Sequence, residues 1–157
     1  MRLTVKQLTA VLKAGLLVTN ADGETKKEEM EIVVRELESF VGESVIDLKD
    51  MVKAAKKYIE KGVKNVLVSL GADGAVLTDG TESYYCKSAS VAVNSTVGAG
   101  DCMVAATCVG LLNGVPMHEL LKMSVAAGTA AVTTSGTNLF YYDKYKEIYT
   151  KIYSQKI

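Results

Sequence analysis

The run Asn94-Ser95-Thr96-Val97-Gly98-Ala99-Gly100-Asp101 sets glycines on both sides of one alanine and follows them at once with a carboxylate. Glycine permits the backbone angles of a sharp turn and lets the main chain come close to a ligand. A small-residue apolar run, Cys102–Gly114, begins directly afterwards. A helix starting near Gly100 would aim the amides of Gly98 to Gly100 out of its positive end, and amides so placed form an anion-binding nest. Asp101, at the mouth of that nest, is placed to accept a proton. An anion site beside a base suits phosphoryl transfer to a hydroxyl. Short glycine-rich loops are common, however, and an aspartate at a helix start also serves as a cap that meets the macrodipole. Spacing alone leaves both roles open.

A second glycine-containing loop, Ser69-Leu70-Gly71-Ala72-Asp73-Gly74, lies upstream. On its own it is equally well a strand-to-hairpin turn, since Asp-Gly is a frequent turn pair. The elements that must position both loops are legible from periodicity. Leu48–Lys61 carries Leu48, Met51, Val52, Ala55 and Ile59 on one face and ends at Gly62, an amphipathic helix. Val63–Leu70 is a central strand running into the Gly71–Gly74 loop. Ala75–Thr78 and Tyr84–Cys86 flank Asp79-Gly80, a hairpin signal. Val91-Ala92-Val93 is a further short strand leading to Asn94. Asp101–Asn113, Met117–Thr134 and Asp143–Ser154 are helices, with Pro116 in the first turn of the second. In the last, Tyr145, Ile148, Tyr149, Ile152 and Tyr153 form one stripe suited to core packing. Near the start, Thr4–Ala14 has helical spacing and Leu16–Thr19 is a short buried strand before Asn20-Ala21-Asp22-Gly23; Thr25–Glu29 is charged and exposed. Strands alternating with helices give an α/β three-layer sandwich. Leu16–Thr19 and Val63–Leu70 read as strands buried on both faces, which places them in the middle of a parallel sheet.

At 157 residues the chain fits one domain and can bury roughly 70% of its unfolded surface. Eighteen basic and eighteen acidic residues leave no net charge to attract nucleic acid or an anionic membrane. Cys86, Cys102 and Cys108 lack metal-type spacing and read as free thiols of a reducing cytoplasm. No apolar run is long enough to span a bilayer, and the N-terminus has no signal-peptide pattern. His118 reads as an exposed residue at a helix start.

Asn94–Asp101, continued by Met103-Val104-Ala105, resembles the second signature of the phosphofructokinase-B (ribokinase-like) sugar kinases. Ser69–Gly74 resembles that family's nucleotide loop, at its usual distance upstream. The opening Asn-Ser-Thr is similar to the branch that phosphorylates sugar phosphates, such as 1-phosphofructokinase and tagatose-6-phosphate kinase. The resemblance covers nearly the whole chain but only the C-terminal half of a family member. It implies a ribokinase-like fold lacking its N-terminal half and β lid, with residues 1–157 forming a single nucleotide-binding and catalytic domain. The implied activity is ATP-dependent phosphoryl transfer to a hydroxyl of a sugar phosphate, impaired in so short a chain. Gly98, Ala99 and Gly100 would neutralise the transferred group and Asp101 would act as the base. Ser69, Leu70, Gly71, Ala72, Asp73 and Gly74, with Gly100 and Asp101, would hold ATP. Gly128 and Ser135-Gly136-Thr137 lie where relatives line the adenine pocket.

The resemblance also implies Mg2+. Glu36 matches the family glutamate that helps to place the metal, but Val33 stands where the partner asparagine is expected. The family's N-terminal half carries the sugar-contacting residues, so a homo-oligomer or a separate N-terminal partner is expected, with the exposed edge of an apolar strand as the place for pairing. The alternative is a non-catalytic remnant that binds nucleotide or a partner chain without turnover. A dinucleotide-binding domain is disfavoured, because no Gly-x-Gly-x-x-Gly follows an early strand.

Overall fold

Two adjacent apolar strands sort their side chains to opposite faces, and that sorting builds the layers. The structure, a computed structural model, describes residues 16–19, 47–136 and 138–157. Strands β1 (Leu16–Thr19), β2 (Asn65–Ser69), β3 (Ala75–Thr78), β4 (Ser83–Cys86) and β5 (Ser154–Lys156) form one sheet in that order. Helix α1 is Leu48–Ile59, α2 is Ala99–Leu112, α3 is Met117–Ala131 and α4 is Tyr142–Lys151. Strand side chains alternate between faces. Val66, Val68 and Val76 therefore pack on Met51, Ala54 and Ala55 of α1. Leu67, Ala75, Leu77 and Cys86 face the other way, onto Met103, Leu120, Val125, Ala126 and Ile148 of α2–α4. Helix, sheet and helices make the expected three layers.

Every pairing in this sheet is antiparallel, which corrects the expectation of a parallel one. Leu16 stands opposite Val68 and Thr19 opposite Asn65, so β1 is the terminal strand among the described residues. An unbroken apolar run reports that both faces of a strand are covered. Here α1 covers one face of β2 and α2–α4 the other, and neither fact fixes strand direction.

Local chemistry sets the boundaries. The Asp47 side chain caps α1 by accepting from the Lys49 amide at 2.9 Å. The β3–β4 hairpin forms where Asp79-Gly80 predicts it: Asp79 Oδ1 accepts from the amides of Thr81 at 2.8 Å and Glu82 at 2.7 Å. Val91–Val93 is not a strand. The place beside β4 is taken by β5, with Tyr84 opposite Lys156, so the chain end rather than the 91–93 segment completes that edge. The last helix accordingly stops at Lys151, three residues short of the expected end. Ile152 turns extended, and the Ile157 amide donates to the Ser83 carbonyl at 3.0 Å. In the tyrosine stripe Tyr145 and Tyr149 stack and pack on the core, whereas Tyr153 is 74% exposed. His118 is exposed as expected, and the three cysteines are free thiols. The helix expected over Thr4–Ala14, the Asn20–Gly23 turn, the Thr25–Glu29 segment, Val33, Glu36 and Thr137 lie outside the described residues.

Helices α2 and α3 run antiparallel and pack through three successive contacts. A Cβ on Gly110 would come within 2.3 Å of Leu120 Cδ1, so the leucine occupies the space that a larger residue would need. One turn along, the buried hydroxyls of Thr107 and Ser124 share a 2.7 Å hydrogen bond that either can donate, and each also lies 2.8 Å from the carbonyl four residues back, that of Met103 or Leu120. The third contact, at Gly128, belongs to the functional cleft.

Leu77 is 1% exposed at the centre of the sheet's helical face. Leu77→Ala is expected to destabilise the chain by about 2–5 kcal/mol, as buried leucine truncations do. The midpoint of guanidinium unfolding measures it, and an unmoved midpoint would refute this account of the core.

Candidate functional site

The upstream loop is a closed turn held against the hairpin behind it. After Ser69 the chain makes a single 3-10 turn, Gly71–Asp73, and returns through Gly74 to β3. The Leu70 amide donates to the Gly74 carbonyl at 2.8 Å, and the Gly74 amide returns a bond to the Gly71 carbonyl at 3.2 Å. Tyr85 donates its hydroxyl to the Asp73 carbonyl at 2.7 Å, tying the loop to β4. Gly74 is required on two counts. Its φ of 95° lies in the left-handed region, and a Cβ there would stand 1.9 Å from the Cys86 carbonyl oxygen.

The downstream turn is pinned to the end of α3. The amides of Asn94 and Ser95 both donate to the Val132 carbonyl, at 2.8 and 3.3 Å, and Asn94 Nδ2 donates to the Thr133 carbonyl at 2.8 Å. Carbonyls at a helix C-terminus lack intrahelical partners, and here the turn supplies them. Gly98 then takes a left-handed φ of 81° as the N-cap of α2. The first helical bond runs from the Cys102 amide to the Gly98 carbonyl at 2.9 Å. Among the described residues the amides of Gly98, Gly100 and Asp101 have no acceptor. They stand at the positive end of the helix, where an anion is stabilised.

Both loops open into one cleft of about 500 Å³. Val91, Val93, Met103, Val125 and Val132 give it apolar walls; Ser69, Lys87, Ser88, Thr96 and Thr129 add polar groups. Lys87 is the only cationic side chain among the lining residues. Gly128 closes the wall between α3 and α2. A Cβ on it would stand 2.6 Å from Met103 Cγ, 3.0 Å from Met103 Sδ and 3.3 Å from the Ala99 carbonyl oxygen. Beside the turn, burial and then the Asp101 carboxylate raise the Cys102 thiol above its ordinary value, keeping it protonated. An apolar slot ending in unpaired amides suits a ligand with a flat apolar part and an anionic tail.

The structure thus brings together most of the residues that the sequence singles out. Ser69, Gly71, Ala72, Gly74, Ala99 and Gly100 line the cleft. Leu70 instead packs beside the α1 core, and Asp73 is exposed with its carbonyl bound to Tyr85. Gly98 and Asp101 flank the lining residues in the chain, and Asp101 is exposed. Lys87 was not anticipated, because a lone lysine after a strand carries no pattern. The pinning role of Asn94 was also missed, since its partners lie 39 residues further on. Among the described residues no three His, Cys, Asp or Glu side chains converge as a metal site. No helix among them is long and apolar enough to cross a membrane. A smaller cavity, about 320 Å³, lies between residues 89–94 and α4. There Glu147 bonds both Lys144 and Lys151, which hold its carboxyl down at about 2.

Gly74→Ala is expected to destabilise the fold by about 2 kcal/mol or more, because strained φ and backbone overlap coincide. Thermal unfolding measures it; an unchanged melting temperature would show that the loop has room to shift.

Residues 32–143 match the model of the pfkB family carbohydrate kinases. The chain is 37% identical over 105 residues to 1-phosphofructokinase of Escherichia coli K12, covering 67% of this chain and 34% of that protein. It is 36% identical over 116 residues to ATP-dependent 6-phosphofructokinase isozyme 2 of the same strain, covering 73% and 38%. Among solved structures it is similar to phosphofructokinase-2 from Escherichia coli in complex with substrates and products, with a TM-score of 0.63 and 32% identity over 80% of this chain and 38% of that one. Ribokinase from Thermotoga maritima matches with a TM-score of 0.57 and 31% identity, over 64% and 34%. The ribokinase-like fold expected from the motifs is therefore borne out as a part of that fold, and the chain spans about a third of the length of the curated relatives it matches. With the family model matched across most of its length, the chain belongs to the pfkB family of carbohydrate kinases.

Proposed function

We propose that residues 1–157 supply the nucleotide-holding and phosphoryl-transferring part of an ATP-dependent kinase. Its acceptor is a hydroxyl of a sugar phosphate, as in a 1-phosphofructokinase or tagatose-6-phosphate kinase. The observation that carries this is the cleft shared by the Ser69–Gly74 loop and the turn at the start of α2. Its apolar walls fit a nucleobase, and Ser69, Gly71 and Gly74 border the path toward the phosphates. The amides of Gly98, Gly100 and Asp101 face the charge that builds on the transferred group, and fixed donors stabilise such charge without reorganising. ATP, when bound, supplies the phosphoryl group. As the acceptor oxygen bonds to the γ-phosphorus, the bond from that phosphorus to the β–γ bridging oxygen breaks and ADP leaves, while Asp101 takes the hydroxyl proton. Its exposed position leaves it open to a hydroxyl arriving from outside the cleft.

Mg2+ is proposed to accompany ATP, with Glu36 helping to place it, and no step is assigned to the metal. The acceptor site is proposed to correspond to the length that the relatives have beyond the matched region; self-association of this chain is proposed separately, as pairing along a strand edge. Among the described residues β1 is the terminal strand of the sheet, where such pairing would add a strand. The second reading, a remnant that holds nucleotide without turnover, is favoured by one observation: the match covers only 34% of a 1-phosphofructokinase.

Calorimetric titration with ADP and Mg2+ is expected to show saturable binding, and Gly74→Ala to weaken it; a chain that takes up no heat would refute the nucleotide site. In an assembly that turns over a phosphosugar, Asp101→Asn is expected to cut the rate by about 10²–10⁴-fold while leaving ADP affinity intact. Equal rates would make Asp101 only a helix cap, since asparagine caps as well. Sedimentation at low concentration is expected to show self-association or capture of an added N-terminal half. A lone monomer that phosphorylates a sugar phosphate at ordinary kinase rates would overturn the proposed division of labour.

A further inference from the structure

The first turn of α2 reaches the cleft only as far as α3 lets it. Two anchors hold it. The Asn94 and Ser95 amides bind the Val132 carbonyl on the entering side. On the helical side, Met103 and the Ala99 carbonyl rest directly over Gly128, whose missing side chain leaves them the space. Ala99 and Met103 are four residues apart and share one face of α2, so both face position 128.

We infer that Gly128 and Met103 are positioning residues that set where the unpaired amides at the start of α2 stand in the cleft. This rests on the nucleotide reading proposed above. Met103 is 8% exposed, packed in the core between α2 and α3 on one side and bordering the cleft on the other, so an added methyl is relieved either by turning Met103 into the cleft or by shifting the turn. The Ala99 carbonyl is main chain and moves only with the turn that carries it. On the positioning account, a methyl at position 128 shifts the turn and its amides away from the position that an anion needs. Removing the Met103 side chain beyond Cβ eliminates the 2.6 and 3.0 Å overlaps and leaves only the milder 3.3 Å approach to Ala99.

Gly110 provides the matched comparison. It sits in the same helix pair with a tighter overlap, 2.3 Å to Leu120 Cδ1, but toward the far end of α2 and outside the cleft lining. A purely structural account predicts that Gly110→Ala and Gly128→Ala behave alike; the positioning account predicts that they separate.

The test uses the full chain and two readouts, ADP with Mg2+ titrated calorimetrically and the amide resonances of an isotope-labelled sample without nucleotide. Gly128→Ala is expected to weaken ADP binding by about tenfold or more, the scale set by overpacking strain, and to move the amide signals of Ala99, Gly100 and Asp101. The double variant Met103→Ala, Gly128→Ala is expected to return the amide signals of Gly100 and Asp101 to near their parent positions, whereas its ADP affinity also reflects the loss of the Met103 wall. Gly110→Ala is expected to lower the melting temperature yet leave affinity and those amide signals in place. Unmoved amides in a folded Gly128→Ala chain, equal affinity losses at 110 and 128, or no recovery of the amide signals in the double variant would each overturn the inference. If Gly128→Ala does not fold, a folded double variant with parent-like amide signals supports it and an unfolded one overturns it. If the parent chain binds no ADP, the nucleotide reading fails, and the amide signals alone decide the positioning.

Discussion

The close approach of α2 to α3 is the constraint on which the rest of the site depends. Unpaired main-chain amides are useful only where the chain holds them still, because a loop free to turn would satisfy them internally or with water. Here the turn is fixed at both ends by one helix. The carbonyls left over at the end of α3 bind Asn94 and Ser95, and Gly128 receives Ala99 and Met103. A single element thus ends its own hydrogen-bond ladder and orients the start of another. The hydroxyl bond between Thr107 and Ser124 and the seating of Leu120 on Gly110 continue the same contact along both helices. Small residues let the backbones approach, and two buried hydroxyls, bonded to each other and within reach of the Met103 and Leu120 carbonyls, add registry without leaving either oxygen unpartnered.

The sheet serves the same end from the opposite wall. Its apolar alternation fixes β2 and β3 between α1 and the helical layer. The loop leaving β2 is thereby held facing the turn that starts α2. Gly74 is the residue at which this loop and the hairpin meet, so its conformation couples the cleft wall to β4. Neither loop is a site alone. A strand-to-hairpin turn and a capped helix start are ordinary structures, and only the sheet and α3 together put them on one cleft.

Much of this was legible from residue types because the signals are local. Asp79-Gly80 specifies the hairpin, Gly62 and Pro116 punctuate the neighbouring helices, and the period of Leu48–Ile59 marks α1. Strand direction was not legible: an apolar strand covered on both faces has the same composition in either sense. Nor was β5, since Ser154-Gln155-Lys156 is a polar edge whose strand state comes from pairing with β4 and from Lys156 meeting Glu82. That the two loops share a site came from resemblance rather than spacing, and the geometry supports the pairing independently. The tasks of Asn94 and Gly128 are tertiary. Each depends on a partner on another element, which no window along the chain contains.

The distribution of exposure across the cleft bears on how such a chain could work. The walls that would take a nucleobase are apolar and partly enclosed, whereas Gly100 and Asp101, where charge would move, face outward. Phosphoryl transfer to a hydroxyl competes with transfer to water unless the reacting groups are covered. Fixed dipoles also act far more strongly in a dry site than in a wet one. The described residues therefore arrange the donors and leave the covering of Asp101 to whatever brings the acceptor. That split matches a chain spanning about a third of its relatives' length. On the proposed reading, the two loops and α3 hold the nucleotide. On the same reading, transferring its phosphoryl group efficiently calls for a second surface that covers Asp101 and excludes water from the reacting groups.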